Sequence, residues 1–302
     1  MKRTGLFLLL IIPYLASAQS FFAIRQERRL ILTAGTGTAT YFGELSNPGT
    51  ILNFQPNLNV GLQMYLSPIV SVRSELNWFV LHGDDKLASE ASRKARGLSF
   101  RSNCFEISGI GEVSLFANGN RYYRRPTINF YGFGGIGLLY FNPVDDYNGK
   151  AYSLEPLQTE GVSYSRVTPV IPFGLGLRLK VSPNLNLAIE GGYRKTFTDY
   201  LDDVSTRYAD PNSFSDPIAK YFANPNSLAY NPSATGNLNN YTTGSKRGNS
   251  NLKDSYFLLN AKIEYYLPFT AKSGRRGNGL LNRSRHKSST YRYNKRGGVK
   301  RR

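Results

Sequence analysis

Apolar and polar residues alternate along many short segments of this chain, most regularly between residues 173 and 194. In the first half of that stretch Leu175 and Leu177 alternate with Gly176 and Arg178. Successive side chains of a β-strand point to opposite faces of the sheet, so this alternation predicts strands with one apolar and one polar face. The same pattern predicts eight strands, near residues 30–43, 57–66, 69–81, 104–116, 127–141, 173–181, 185–194 and 255–267.

The connections between the predicted strands are of two kinds. Short turns lie at residues 67–68 and 182–184, and a medium link covers residues 117–126. The longer connections alternate with these and cover residues 44–56, 82–103, 142–166 and 198–254. Short turns at one end and long loops at the other are typical of outer-membrane barrels, whose turns face the periplasm. The pattern predicts an all-β fold, an eight-stranded antiparallel up-and-down transmembrane β-barrel with long extracellular loops.

The polar faces of the predicted strands carry equal numbers of basic and acidic residues. We predict that they form a charge network in the lumen, made of Arg73, Glu75, Glu106, Glu112, Arg178, Lys180, Glu190, Arg194, Lys262 and Glu264. The interior of an eight-stranded barrel is just wide enough to be filled by side chains, so these charges can neutralise one another there. The apolar faces then point to lipid.

Aromatic residues near the predicted strand ends support the membrane interpretation, because interfacial girdles of aromatic residues flank the lipid-facing band of such barrels. These residues are Tyr41, Tyr65, Trp78, Tyr140, Tyr193 and Tyr265. The alternative is a soluble lipocalin-like barrel or a sandwich, in which the ionic rows would face water and the leucine rows would bury a cavity.

The first residues resemble an export signal, with Lys2 and Arg3, an apolar run, and a small-residue cleavage site before Gln19. The alternative is a retained anchor helix. We therefore expect three parts: a signal peptide at residues 1–18, an outer-membrane β-barrel at 19–270 and a basic periplasmic tail at 271–302. An even number of strands places both termini in the periplasm.

The net charge of +18 is concentrated in the tail, which has twelve Lys or Arg residues and no Asp or Glu. We expect the tail to be disordered, and either to solubilise the chain or to dock on anionic lipid, peptidoglycan or an acidic periplasmic protein. Export removes nucleic acid as a partner. The residues that we predict for docking are Arg121, Arg124, Arg125, Arg275, Arg276, Arg283, Arg285, Lys295, Arg296, Lys300, Arg301 and Arg302.

Few residues in the chain suggest catalysis. His82 and His286 are the only histidines, so no histidine-rich metal site can be assembled. A Ser–His hydrolase would have to use His82, and a solvated rim histidine is the alternative interpretation. The sequence GFGGIG at 132–137 fits a dinucleotide motif but is followed by LLYF rather than by a helix. We therefore expect no enzyme activity, no cofactor and no small-molecule substrate.

Acidic residues collect in the last long connection, at Asp199, Asp202, Asp203 and Asp210. They are consistent with calcium that bridges to lipopolysaccharide, or with a solvated acidic loop that caps the barrel. Cys104 is the single cysteine and is expected to be a small packed residue.

Three segments carry a family resemblance: ATYFGELSNPG at 39–49, DDYNGKAYSLEPLQTEGV at 145–162 and YRKTFTDYLDDVSTRYAD at 193–210. With them the chain resembles the PorG-type outer-membrane proteins of the type IX, or Por, secretion system, although Glu44 stands where that family's GDL pattern has Asp. The resemblance implies an eight-stranded outer-membrane barrel that works in assembly, in association with the periplasmic PorK–PorN ring. It supplies no catalytic residues.

These observations predict a non-enzymatic component that anchors or docks the ring complex to the outer membrane, in contact with outer-membrane lipid. The alternative is a small outer-membrane pore with a charged lumen.

Overall fold

The computed structural model describes residues 30–46, 55–119, 122–232, 234 and 242–268. The predicted signal peptide at 1–18 and the tail at 271–302 lie outside these residues. Ten strands occur in the described part of the chain: β1 (Leu30–Phe42), β2 (Gln55–Tyr65), β3 (Val70–Asp84), β4 (Ser99–Ser114), β5 (Ile128–Tyr140), β6 (Pro143–Tyr147), β7 (Lys150–Ser153), β8 (Val167–Ser182), β9 (Leu185–Thr196) and β10 (Ser255–Tyr266).

Eight of these strands close into a barrel. They pair antiparallel in the order β1-β2-β3-β4-β5-β8-β9-β10, and β10 returns to β1 along its whole length, from Ile31 opposite Tyr266 to Phe42 opposite Ser255. Closure leaves no unpaired sheet edge in the ring. The predicted eight-stranded antiparallel up-and-down barrel is therefore confirmed.

The two ends of the barrel differ in their connections. At one, which we call the turn end, the connections are residues 66–69, 115–127 and 183–184. At the other, the loop end, the connections contain the short helices α1 (Ala91–Arg96) and α2 (Pro217–Ala223) and the 3₁₀ turns Asp85–Leu87, Glu155–Leu157 and Pro211–Ser213. No helix among the described residues is long and apolar enough to cross a membrane.

The strands β6 and β7 form a hairpin above the loop end. The hairpin pairs with β4 through Arg101 and Val144, and its tip is the dipeptide Asn148–Gly149. Both tip residues have positive φ, 52° and 76°, as a two-residue type I′ turn requires. The hairpin lies within the segment 142–166, which the sequence predicted as a loop.

The outer face of the barrel is an apolar belt. On β4, for example, every odd-numbered residue from Arg101 onward is exposed and every even-numbered one from Phe100 onward is buried. The belt contains Leu58, Val60, Leu76, Phe105, Ile107, Ile136, Leu138, Leu175, Ile189 and Ile263 among others. Soluble proteins rarely expose so large a continuous apolar surface to water, whereas the lipid-facing surface of a membrane barrel has this character. The alternative of ionic rows that face water is wrong, because those rows point inward.

The apolar and polar faces exchange at the loop end. There Phe79, Leu81 and Phe100 point inward and are fully buried. They pack in one core with residues from the loops, including Leu45, Leu98, Leu154, Leu201, Val204 and Phe222. The loops thus fold over the barrel mouth as an apolar cap. Cys104 is buried in this core, in line with the expectation of a packed residue.

Two of the predicted girdle aromatics point into the barrel instead. Tyr41 is 4% exposed and Tyr65 is 6% exposed. The Tyr41 hydroxyl donates to Asp254, and the Tyr65 hydroxyl accepts from Arg178. Trp78 and Tyr193 are half-buried on the outer face, and Tyr140 and Tyr265 are exposed there. The girdle prediction is therefore wrong for Tyr41 and Tyr65.

Candidate functional site

The centre of the lumen holds a ring of two bases and two acids. Arg73 lies 2.7 Å from Glu75 and 2.6 Å from Glu190, measured between Nε or Nη1 and the nearest carboxylate oxygen. The ammonium of Lys262 lies 2.7 Å from Glu75 and 2.5 Å from Glu190. Every member alternates with a partner of opposite charge, so the group is neutral although it is buried.

A second ionic layer lies toward the turn end. The Arg178 guanidinium contacts Glu264 at 2.6 Å and Glu112 at 3.1 Å, and it donates a hydrogen bond to the Tyr65 hydroxyl at 3.0 Å. Arg73 joins the two layers, since its Nη1 lies 2.6 Å from Glu112 Oε1. Close ionic contacts of this kind offset part of the cost of burying the charges.

Toward the loop end the lumen is filled by Arg194, Glu106 and Tyr256. Arg194 lies 3.7 Å from Glu106, which also accepts a 2.6 Å hydrogen bond from the Tyr256 hydroxyl. Asn57 Nδ2 donates a hydrogen bond to Asn260 Oδ1 at 2.5 Å, also in the interior. Side chains therefore occupy the interior from the turn end to the apolar cap.

Lys180 and Arg125 both lie elsewhere than the sequence suggested. Lys180, predicted in the lumen network, is half-buried at the turn end, and its ammonium donates to the Tyr123 carbonyl at 2.6 Å. Arg125, predicted for docking, is only 7% exposed. Its Nε donates to Asn186, and the Asn186 amide donates to Glu264 at 2.8 Å. Arg125, in the link 117–126, thus adds one inward-facing base to those of the strands.

The remaining contacts of Arg125 hold the turn between β8 and β9. Its two terminal nitrogens donate to the carbonyl oxygens of Tyr122, Pro183, Ser182 and Leu185 at 2.6–3.2 Å. The guanidinium also lies over the Tyr266 ring, 4.5 Å from its centroid. Arg125 is thus fully engaged inside the protein, and the docking prediction is wrong for this residue.

Arg124 is the docking candidate that the structure leaves exposed at the turn end. Arg121 and the tail candidates Arg275, Arg276, Arg283, Arg285, Lys295, Arg296, Lys300, Arg301 and Arg302 lie outside the described residues, and so does His286. His82 is half-buried at the loop end, with Nδ1 2.9 Å from the Phe100 carbonyl oxygen.

Two arginines organise the polar part of the cap. Arg96 forms two contacts with Asp85, at 2.6 and 3.0 Å. Arg247 contacts Glu160 at 3.0 Å and donates to the Asp203 carbonyl oxygen. Burial raises the pKa of Asp203 to about 6, against the opposing effect of Arg247. The Arg247–Glu160 pair fixes the long connection 197–254 to the loop that precedes β8. Arg96 fixes it to the β3–β4 loop, because its Nη1 donates to the Arg247 carbonyl oxygen at 2.7 Å.

The acidic segment of that connection is not a solvated loop. Asp199, Asp202 and Asp203 are each at most 2% exposed, and only Asp210 of the four predicted acids is exposed. They are buried because the segment folds inward with Leu201 and Val204, which belong to the apolar core. Asp199 and Asp202 lie close to Glu44 and Asp254, two carboxylates that were not predicted as site residues.

A closed eight-stranded barrel with an apolar outer belt and a salt-bridged interior defines a β-barrel of the outer-membrane type. Residues 8–246 match the family model described as a domain of unknown function, DUF6089, and the chain belongs to that family. No significant match exists among the curated proteins.

Several solved outer-membrane barrels are similar in backbone. Neisserial surface protein A has 8% identity and a TM-score of 0.40, over 79% of this chain and 97% of that one. OprG from Pseudomonas aeruginosa has 9% identity and a TM-score of 0.36, over 81% and 100%. A major outer membrane protein from Thermus thermophilus has 12% identity and a TM-score of 0.36, over 78% and 98%. The barrel class stated above rests on the strand pairing of this chain itself.

Proposed function

We propose that this chain is a non-enzymatic outer-membrane component of the type IX secretion machinery, and that it anchors or docks a periplasmic ring of the PorK–PorN type. Its turn end and both termini face the periplasm in this proposal. The observation that carries the proposal is the filled lumen. Because side chains occupy the interior, we expect the surfaces of the barrel to carry its function.

The interior contacts support this proposal over a transport role. Arg73 and Glu190 come from opposite walls of the ring and meet in its centre. An ion that passed through the lumen would have to separate this pair and the Arg178–Glu264 pair in a medium of low dielectric, which is costly. These contacts favour a structural role for the charged lumen over a path for ions.

The turn end is the surface that the proposal assigns to the partner. It presents the exposed Arg124, and by sequence the basic tail begins soon after β10 ends at that same end. Clustered basic residues favour an acidic protein surface as partner, and they speed its encounter at low salt. With Arg125 engaged internally, the docking set is Arg121, Arg124 and the tail residues.

The test is co-purification from detergent-solubilised membranes of cells that make the secretion machinery. The full chain is compared with a chain stopped after Thr270 and with Arg124→Ala, and mass spectrometry identifies what accompanies each. Arg101→Ala is the matched control, since Arg101 is an exposed arginine at the loop end. The proposal expects ring proteins with the full chain and with Arg101→Ala, and a loss of at least about tenfold for the stopped chain.

Partners that persist without the tail but are lost with Arg124→Ala would move the contact to the turns. If no form brings a ring protein, the docking proposal fails. Conductance in a planar bilayer then decides the pore alternative, for which a steady ohmic current is expected. The filled barrel is expected to pass none.

A further inference from the structure

Three carboxylates meet above the loop end of neighbouring strands. Glu44 follows β1, Asp254 directly precedes β10, and Asp199 follows β9. The strand register brings them together, because Phe42 is opposite Ser255 and Ser255 is opposite Lys195. One carboxylate oxygen from each of the three lies within 4.8 Å of the others.

The backbone around this group is shaped for close approach. A side-chain carbon on Gly43 would collide with the Tyr41 hydroxyl and with the Asp254 carboxylate. The Tyr41 hydroxyl donates to Asp254 Oδ1 at 2.6 Å, and the Leu201 amide donates to Asp254 Oδ2 at 2.9 Å. Asp254 is thereby held in one orientation.

Several oxygens of the group are buried without a hydrogen-bond partner. Asp199 is 2% exposed, and its Oδ2 accepts from Ser205 at 2.8 Å while its Oδ1 has no partner. Glu44 Oε1 accepts from the Asn249 amide, and its Oε2 is buried and unpaired. Asp202 Oδ2, close by, is also buried and unpaired. Leaving a carboxylate oxygen buried and unpaired is costly, so these atoms call for a ligand.

The basic residues of the cap form no ion pair with this group. Among the described residues no Lys, Arg or His forms an ion pair within 4.0 Å of Glu44, Asp199, Asp202 or Asp254. Arg96 is engaged by Asp85, and Arg247 is engaged by Glu160 and Asp203. Four acids thus share one site without an ion pair to a basic side chain. The nearest contact of this kind is from Arg96 Nη2 to the Glu44 backbone carbonyl oxygen, at 3.5 Å.

We propose that Glu44, Asp199 and Asp254 bind a divalent cation of the calcium class, with Asp202 adding negative charge beside them. All the donors are hard oxygens, which Ca²⁺ prefers, and Ca²⁺ accepts irregular sets of six to eight ligands completed by water or carbonyl oxygens. The cation would fasten the start of the connection 43–54 to both ends of the connection 197–254. This inference goes beyond the proposed function and does not depend on it.

The test uses the full chain in detergent micelles, stripped with EDTA and then titrated with CaCl₂ at about pH 7.5. Isothermal calorimetry measures binding, and the thermal unfolding midpoint measures the consequence. The expected result is saturable binding with a rise in Tm on the order of a few degrees, because a ligand that binds the folded state stabilises it. MgCl₂ is expected to bind more weakly, since Mg²⁺ demands a regular octahedron.

Asp199→Asn is the informative variant. It is expected to lower calcium affinity by roughly tenfold or more, because affinity follows the number of charged ligands. In EDTA it is expected to raise Tm, because it removes one of the repelling carboxylates. Glu44→Gln is the second variant, with the same two expectations. Asp210→Asn, an exposed acid in the same connection, is the control and should respond to calcium as the unchanged chain does.

The proposal is overturned if the unchanged chain shows neither calcium-dependent heat nor a shift in Tm up to millimolar CaCl₂. It is also overturned if Asp199→Asn and Asp210→Asn bind calcium equally. A chain that ignores calcium but gains Tm on acidification has carboxyls that share protons instead, and that result too excludes the cation.

Discussion

Arg73 on β3 and Glu190 on β9 form a two-pronged ion pair across the lumen, with Nη1–Oε1 and Nη2–Oε2 distances of 2.6 and 3.0 Å. The two strands are four positions apart in a ring of eight, so they lie on opposite walls. A planar guanidinium matched to both carboxylate oxygens fixes orientation as well as charge. The pair therefore ties the barrel together through its centre.

Removing this arginine should be strongly destabilising. Arg73→Met leaves Glu75, Glu112 and Glu190 with one base fewer in a buried site, and we expect the free energy of unfolding to fall by about 3–5 kcal/mol. Unfolding by urea in lipid vesicles, followed by the fluorescence of Trp78, measures this change, because Trp78 is the single tryptophan of the chain.

The double variant Arg73→Met with Glu190→Gln tests the origin of the loss. It removes one charge of each sign and should recover part of the stability that Arg73→Met loses. A single variant within about 1 kcal/mol of the unchanged chain would show that the network contributes little.

A charge on the apolar belt should weaken insertion. Leu175 is 74% exposed on the outer face of β8, and Leu175→Arg is expected to cost about 2–4 kcal/mol, the range for arginine near the bilayer midplane. Leu87→Arg is the matched control, because Leu87 is 64% exposed but lies in the loop-end turn Asp85–Leu87. Equal costs at the two positions in vesicle unfolding would contradict lipid contact at Leu175.

Arg125 should be irreplaceable even by lysine. Arg125→Lys loses the planar fork that reaches Asn186 and the carbonyls of the β8–β9 turn, and we expect a loss of about 1.5–3 kcal/mol. Hydrogen exchange of the turn amides and unfolding by urea measure the local and global effects. Arg124→Lys, one residue earlier and exposed, should be near neutral. Comparable effects of the two changes would show that the contacts of Arg125 do not contribute to the stability of the fold.

The β6–β7 hairpin should lose stability as the pH rises from about 4 to 6. Burial raises the pKa of Asp145 from 3.8 to about 6, against its hydrogen bonds from Ser99 and the Asp146 amide, and the charges of Asp84 and Asp146 add to the rise. The folded hairpin therefore binds this proton more tightly than the open form does. Its stability is greatest below the unfolded pKa and declines as the pH passes through the folded pKa.

Hydrogen exchange of the hairpin amides, corrected for intrinsic rates, measures this effect. Asp145→Asn should remove the decline, whereas Asp210→Asn in another loop should leave it intact. A hairpin whose opening free energy is constant from about pH 4 to 7 in the unchanged chain would refute the assignment.

The strands that cross the belt are predictable from sequence because lipid and lumen impose opposite requirements on alternate residues. The strand ends are not, because the requirement reverses above the belt. On β4 the inward residue Phe100 is apolar and the outward Arg101 is polar, the opposite of the order at Phe105 and Glu106. A search for one continuous apolar row therefore starts β4 at residue 104 rather than at Ser99, and assigns Tyr41 to the wrong face.

The site residues that sequence missed depend on contacts between distant segments. Arg125 enters the lumen because its link folds under the barrel, and Lys180 stays at the rim beside a bulge between Lys180 and Ser182. Neither position has a local signal. Glu44 and Asp254 are 210 positions apart along the chain and meet through the pairing of β1 with β10. The acidic segment around Asp199 was visible in the sequence, but its burial was not.

The Asn148–Gly149 tip of the β6–β7 hairpin offers an experimental landmark for sidedness. Both residues are exposed and the turn is closed locally by Tyr147 and Lys150, so a short epitope inserted there should leave the barrel intact. If the loop end faces the medium, an antibody should stain intact cells that carry the tagged chain. Staining that requires permeabilised cells would instead indicate the opposite orientation, in which the loop end faces the periplasm and the termini lie outside.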